Sequence, residues 1–355
     1  MKFRATNFFR NICISKPHLD YFMKKNLALI TGGFSGEAVI SYKSAVTIDN
    51  NLDRSLFNVY KIDINKEDWH HVLADGRKIE IDKNDFSLQI DNHQVKFDAV
   101  FIGMHGTPGE DGKLQGYFDM LGIPYTGCNA AVAALTFNKR NTVAAAAFAG
   151  IDVAKSVLFY KNDGQNHQLA VSHLRPPLFV KANNGGSSIG MSKVNNPAAD
   201  LDAAMIKAFQ EDDEVLVEEF ISGREFTVGV FRVKNEIVVL PITEVSANAD
   251  MLFFDFEAKY QGKSSETTPA NINEEMANKL REAARKIYQV FNCSGVVRID
   301  FIYNDQTNKP FMLEINTIPG QSEVSIVPQQ VRAMGWTLKD FYTRLLEEIL
   351  YKPIL

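Results

Sequence analysis

The apolar positions fall into short compact blocks separated by longer mixed stretches. LALIT (27–31) is a short apolar run that ends at Gly32-Gly33, and it predicts a buried strand. A helical stretch follows over about 37–47, and then a second strand over 57–62. AVFIGMHG is a further buried strand that runs into a glycine-rich loop. Strands alternating with helices predict a parallel α/β domain, which closes around IPYTG (123–127).

The pattern then changes. NTVAAAAFAGIDVA is apolar but short and broken by Gly150, so it predicts a packed helix. Strands follow at SVLFY, PLFVKA, SKV and EVLVEEFI, with a helix over about 198–210 between the last two. EFTVGVFRV, EIVVLPITEV and VRIDFIYNDQTNKPFMLEIN form a strand-rich final region. NEEMANKLREAARKIYQVF carries an apolar face at helical spacing. No repeat or low-complexity linker separates these regions, so their domains are expected in close contact.

The last strand pair carries unusual chemistry. Side chains alternate across a strand, so Ile299 and Phe301 face one way and Arg298 and Asp300 the other. In the return strand Leu313 and Ile315 share one face, opposed by Glu314 and Asn316. Pairing across NDQTNK brings Asp300, Glu314 and Asn316 to one patch. Two crowded carboxylates are unfavourable unless a cation neutralises them. Oxygen ligands without His or Cys select Mg²⁺ or Mn²⁺, usually with phosphate completing the shell. An exposed sheet face with an ordinary Arg–carboxylate pair is the competing reading, and the hairpin alone does not separate the two.

KANNGGSSIGMSKV supplies a candidate phosphate loop. Gly185, Gly186 and Gly190 permit sharp bends, Ser187 and Ser188 add hydroxyls, and Lys181 precedes them in an apolar strand. No G-K-[ST] opens a helix, so it is not a Walker A loop. LVEEFISGREFTV offers an apolar slot with Glu218, Glu219 and Glu225, the residue types an adenine and a ribose need. Taken alone, it reads better as a strand leading into a turn with solvated acids.

Composition narrows the function classes. The 355 residues carry a net charge of −5, without the basic excess of a general nucleic-acid or membrane-surface binder. The length suggests two or three domains. Cys13, Cys128 and Cys293 are distant in sequence and make neither a disulfide framework nor a zinc pattern, which points to a reducing compartment. No apolar run approaches the roughly 20 residues of a spanning helix. Residues 1–22 are basic without an apolar core, a poor signal peptide, and are expected to be a disordered extension or an over-long start, with Met23 opening the first strand.

These pieces, in this order, resemble the ATP-grasp superfamily. GGFSGE, MHGTPGEDGKLQG, PYTG, NNGGSSIGMSK, EFTV, FEAKY and LEINTIPG narrow the resemblance to the D-alanine–D-alanine ligase family, from Leu27 to the C-terminus. The resemblance implies a Rossmann-like N-terminal (pre-ATP-grasp) domain over 23–127. A two-subdomain α+β ATP-grasp fold follows, over 128–223 and 224–355. It implies ATP-driven joining of two D-alanines through an acyl phosphate for peptidoglycan synthesis, in the cytoplasm, by a homodimer. D-lactate or D-serine as acceptor is the runner-up, and a non-catalytic nucleotide-binding protein the third reading.

By the same resemblance Lys139, Lys181 and Lys259 hold the ATP phosphates. Glu218, Glu219, Phe220 and Ile221 line the adenine edge, Glu225 takes the ribose, and Ile302 and Leu313 pack against the base. Asp300, Glu314 and Asn316 hold two Mg²⁺ or Mn²⁺ ions. Glu37 receives the first ammonium, and Ser187 and Tyr260 complete a set that closes the site, Tyr260 favouring an amine acceptor. Arg298 and the Gly320 N–H form an oxyanion hole, Ser325 binds the second carboxylate, and His105 lies near the second substrate. His70, His71, His167 and His173 match nothing and are expected at the surface. The chain departs from the family at Ala38–Ser41, at Ala182 and at Gln321-Ser322, which leaves the shape of the second-substrate pocket open.

Overall fold

The computed structural model describes residues 24–185, 190–234, 236–247 and 264–351. The strand Lys25–Gly32 lies between Phe57–Ile64 and Ala99–Ile102 and is parallel to both. Leu27 to Ile30 are all fully buried, as a strand covered on both faces requires. The helix Ala38–Asn51 turns Ser41, Ser44, Ala45 and Ile48 inward.

The parallel expectation describes only part of this sheet. Four short antiparallel strands, Trp69–Val72, Lys78–Asp82, Ser87–Ile90 and His93–Val95, extend it to seven. Their sequences are mostly polar and half exposed, so no apolar run marks them. They are held instead by edge-to-face packing among Trp69, Phe86, Tyr117 and Phe118, which come from distant segments.

Two antiparallel sheets follow. The first contains Ser156–Tyr160, Leu178–Ala182, Ser192–Val194 and Glu214–Glu219, and buries Phe159, Val180 and Val217 against Leu201 and Met205 of the helix Pro197–Ala208. The second has six strands, including Arg224–Val233 and the hairpin Val297–Asn304 with Lys309–Asn316. The helix Glu274–Val290 backs it. The Asn273 side chain caps its N-terminus, and Met276, Leu280, Ala284 and Ile287 repeat at helical spacing along the buried face. They meet Ile299, Phe301 and Ile315 of the hairpin. Burying each such side chain contributes about 1.5–3 kcal/mol.

Sequence distance hides two contacts. Cys128 and Cys293 bury in this same hairpin core, and the Cys128 thiol donates to the Ser294 carbonyl at 3.4 Å. Gly295, at φ +61, approaches so closely that an added Cβ would stand 2.5 Å from the Gly127 nitrogen. Only His173 of the four unmatched histidines is exposed. His70 bonds Asp68, His71 bonds the Lys61 carbonyl, and His167 packs edge-on against Phe159. Among the described residues, no helix is long and apolar enough to cross a membrane.

The chain's end returns to its beginning. Phe341, Tyr342 and Leu345 of the helix Leu338–Leu350 share a core with Leu27, Ile48 and Phe101. Buried His105 joins the same closure. The Ser44 hydroxyl accepts from the Gln321 N–H at 3.1 Å, so its own proton is available to His105 Nε2, 2.9 Å away. The ring also bonds the Ile318 backbone, and the His105 N–H donates to Ser41 Oγ at 2.9 Å. Tyr342 OH donates to Gln321 Oε1 at 3.2 Å. Burial, with the Arg298 charge nearby, lowers the His105 pKa to about 4.

An unfolded histidine takes up a proton near pH 6.5, whereas buried His105 resists until about pH 4. Stability is therefore lost as pH falls through that window, by an amount on the order of 3 kcal/mol from this group. In His105→Gln the fall in melting temperature between these pH values should be shallower. Parallel melting-temperature profiles for the two proteins would contradict it.

Candidate active site

A cavity of about 670 Å³ separates the four-stranded sheet from the six-stranded one. Glu37 reaches it from the N-terminal domain. Lys181, Glu218, Glu219, Phe220 and Ile221 line it from the four-stranded side, Glu225, Asp300, Ile302, Leu313 and Glu314 from the six-stranded side, and Lys139 from the start of the helix Lys139–Phe148. Ser187, Lys259 and Tyr260 lie outside the described residues.

The hairpin forms the acidic floor. Asp300 stands directly opposite Glu314, and Arg298 opposite Asn316. A bulge follows Asp300, so Phe301 pairs with Met312 and Leu313 becomes the extra residue. This corrects the simple alternation. Met312 and Ile315 enter the core, whereas Leu313 turns to the cavity beside Glu314. Strict period-two reading had placed Leu313 on the core face.

Asp300 is only 6% exposed and richly partnered. Arg298 grips it with two bonds, Nε to Oδ1 at 2.9 Å and a terminal nitrogen to Oδ2 at 2.8 Å. Thr227 Oγ1 donates to Oδ1 at 2.5 Å, and Asn316 Nδ2 donates to Oδ2 at 3.1 Å and to Glu314 at 3.4 Å. Among the described residues no group of three His, Cys, Asp or Glu side chains could hold a metal. The available set is two carboxylates and one amide, hard oxygen donors that fit a small divalent cation. For Asn316 to give its oxygen, the amide must turn over from its present orientation.

Lys181 and Glu218 form an ion pair at 2.6 Å inside the cleft. Glu219 accepts from the Arg175 backbone N–H at 3.0 Å and from its guanidinium at 3.4 Å. Lys193 Nζ lies 4.1 Å above the Phe220 ring. Lys139 Nζ donates to the Gly185 carbonyl at 2.5 Å. Glu225 pairs with Ile302 and Val245 on the neighbouring strands, at the cavity's apolar end.

Glu37 occupies the N-cap position of its helix, but its side chain makes no capping bond. Its carboxylate lies over Gly106, where an added Cβ would come within 2.6 Å of Oε2, and Gly106 adopts φ +66. Ser325 Oγ packs on Gly320, 2.9 Å from where a Cβ would be, and bonds Ser322 Oγ at 2.7 Å. Arg298, Asn316, Gly320, Ser325 and His105 do not line the large cavity. Both His105 ring contacts are structural, so the ring holds the 318–321 turn in place.

Two residues of this site went unread in the sequence. Glu110 accepts the Gly106 N–H at 2.7 Å, and with Lys139, Glu314 and Asn316 it lines a small side cavity of about 40 Å³. Desolvation and the Glu37 charge push its carboxyl up to about 8. It stands inside MHGTPGEDG, where position alone gives no sign of this neighbour. Thr227 lies opposite Asp300 in EFTV, two residues beyond Glu225, and strand alternation was the signal that could have found it.

The D-ala D-ala ligase N-terminus family matches residues 26–128, and the D-ala D-ala ligase C-terminus family matches residues 146–347. The chain is 44% identical to a D-alanine–D-alanine ligase of Flavobacterium johnsoniae, across 91% of this chain and 98% of that protein. It is 43% identical to that of Phocaeicola vulgatus, across 92% and 99%. A D-Ala:D-Ser ligase structure from Enterococcus faecalis superposes with a TM-score of 0.81 at 31% identity, covering 91% of this chain and 99% of that one. A D-alanine–D-alanine ligase from Bacillus anthracis complexed with ATP gives 0.71 at 26% identity, covering 92% and 96%. With both family halves matched in order along the chain, the chain belongs to the D-alanine–D-alanine ligase family.

Proposed function

We propose that this protein joins two D-alanines to D-alanyl-D-alanine, driven by cleavage of ATP to ADP and phosphate. The observation that carries the reading is the cleft itself, with Lys139 and Lys181 facing it from two elements and the paired acids Asp300 and Glu314 on the floor. A carboxylate is a poor electrophile, and phosphorylation supplies it with a leaving group. The first D-alanine carboxylate attacks the γ-phosphoryl group, giving an acyl phosphate and ADP. The amine of the second attacks the acyl carbon, loses a proton, and phosphate departs.

Each residue then has a task. Lys181 leaves Glu218 for the polyphosphate, and Glu218 turns to accept from the adenine amine. Lys139 transfers from the Gly185 carbonyl to phosphate. Phe220, Ile221, Ile302 and Leu313 enclose the base, Glu219 borders it, and Glu225 takes the ribose. Glu37 binds the first ammonium. Asp300, Glu314 and Asn316 hold Mg²⁺, which when bound neutralises charge developing on the transferred phosphoryl group. Arg298 and the Gly320 N–H receive the tetrahedral oxyanion, where each such donor is worth about 2.7–4 kcal/mol of barrier. Ser325, braced by Ser322, binds the second carboxylate. By the family resemblance Lys259 joins the other two lysines on the phosphates, and Ser187 and Tyr260 complete the set that closes the site against water. The resemblance also supports the cytoplasm and a homodimer.

ADP release measured with D-alanine, L-alanine or D-lactate tests the substrate. Release should be strong with D-alanine and near background with L-alanine alone. D-lactate supplied beside D-alanine should add no mixed product, and a preference for D-lactate would move the assignment to an ester-forming relative. Glu314→Gln keeps the side chain's shape and removes its charge. Turnover should fall by at least about a hundredfold, comparable to losing one electrostatic stabiliser, while the melting temperature is retained. Near-normal phosphate release by this variant would remove the metal assignment.

A further inference from the structure

The two lysines facing the phosphates are anchored in different cores. Lys139 opens the helix Lys139–Phe148, and Ala146 of that helix buries with the hairpin sheet. Lys181 sits on Leu178–Ala182, which belongs to the core of the four-stranded sheet. ATP bridges them only if the two cores hold a fixed separation.

A knot of amides and acids behind the cleft sets that separation. Glu214 Oε2 accepts from Asn183 Nδ2 at 2.5 Å, from Asn138 Nδ2 at 3.3 Å and from Asn184 Nδ2 at 3.5 Å. Asp212 Oδ2 accepts from the Asn184 N–H at 2.6 Å and from its Nδ2 at 2.9 Å. Asn138 caps the helix through Oδ1, which accepts from the Asn141 N–H at 2.9 Å, while its Nδ2 also donates to Asn184 Oδ1 at 3.0 Å. Asn183 completes the stitch. Its carbonyl accepts the Lys139 N–H at 3.0 Å, its Oδ1 accepts the Arg140 N–H at 2.8 Å, and its own N–H donates to the Glu214 carbonyl at 2.9 Å. Asn138, Asn183, Asp212 and Glu214 do not line the cavity, whereas Asn184 and Gly185 do.

We propose that Glu214, with Asp212, is a positioning residue for ATP. It fastens the helix that carries Lys139 to the strand that carries Lys181, so the two ammonium groups meet the polyphosphate together. This rests on the reading of the cavity as an ATP site. A carboxylate oxygen accepts from several amides at once. All three amides converge on Oε2. A glutamine keeps one neutral oxygen there, which holds three donors more weakly than a carboxylate does, and turned over it presents an NH₂ to them. The stranded amides then let the two anchors drift, and a displacement of about 1 Å is enough to spoil a two-point grip.

Titration calorimetry of Glu214→Gln with ATP, ADP and adenosine tests this. ATP and ADP should bind about tenfold more weakly, the scale of one lost hydrogen-bonded contact, while adenosine binds as to the wild type. KM for ATP should rise with kcat at saturating ATP nearly unchanged. Asn138→Asp keeps the oxygen that caps the helix and removes the donor to Glu214. It should show the same split and keeps the test open if Glu214→Gln does not fold. Wild-type ATP affinity in these variants, or adenosine weakened as much as ATP, overturns the proposal. A wild-type protein that binds ATP yet releases no ADP with D-alanine would overturn the ligase reading and leave this one intact.

Discussion

Two carboxylates held face to face across a pair of strands set the terms for the rest of the molecule. Asp300 and Glu314 are cross-strand neighbours, and Asp300 is almost wholly withdrawn from water. Such a pair repels itself and loses hydration, so it needs compensating donors. Arg298 supplies a forked cation, and Thr227 and Asn316 supply neutral donors. The opposite face of the same strands buries Ile299, Phe301 and Ile315 under an amphipathic helix. That apolar face keeps the hairpin rigid enough for its polar face to be an electrostatic device.

The cleft above the hairpin brings in two ammonium groups among its acids. Lys139 and Lys181 approach from two separately packed cores, and in the free protein they rest on Gly185 and Glu218. These contacts hold the ammonium groups ready without leaving them uncompensated in a partly buried space. A nucleotide entering the cavity exchanges one set of charge-assisted bonds for another. The amide-and-acid knot at Glu214 keeps the exchange geometric, because it joins the two cores by short hydrogen bonds.

The N-terminal domain contributes Ser35, Gly36 and Glu37 to the cavity lining. Glu37 reaches the cavity over Gly106, whose φ of +66 favours glycine, and Glu110 accepts the N–H of that glycine. The last helix of the chain packs on the first sheet, and the His105–Ser44–Gln321 contacts pin the turn that presents Gly320. The buried amide of Gln321 finds partners in Tyr342 and Pro319.

Local pattern determined a large part of this. Period-two alternation in VRIDFIYN placed Arg298 and Asp300 opposite Ile299 and Phe301, and ordered motifs marked the family and many residues that line the cleft. Those signals are short-range, because strand alternation, helical spacing and glycine loops are written in neighbouring residues. The bulge at Asp300 was not legible, since it depends on which residues pair across the hairpin, and it alone turns Leu313 from core to cavity. The four-strand extension of the first sheet was hidden for a related reason, its polar strands being held by aromatic rings from elsewhere in the chain. The meeting of Cys128 with Cys293, of Glu110 with Glu37, and of Glu214 with three asparagines came only from tertiary packing. Contacts between distant segments carry no periodicity, so the folded chain alone decides them.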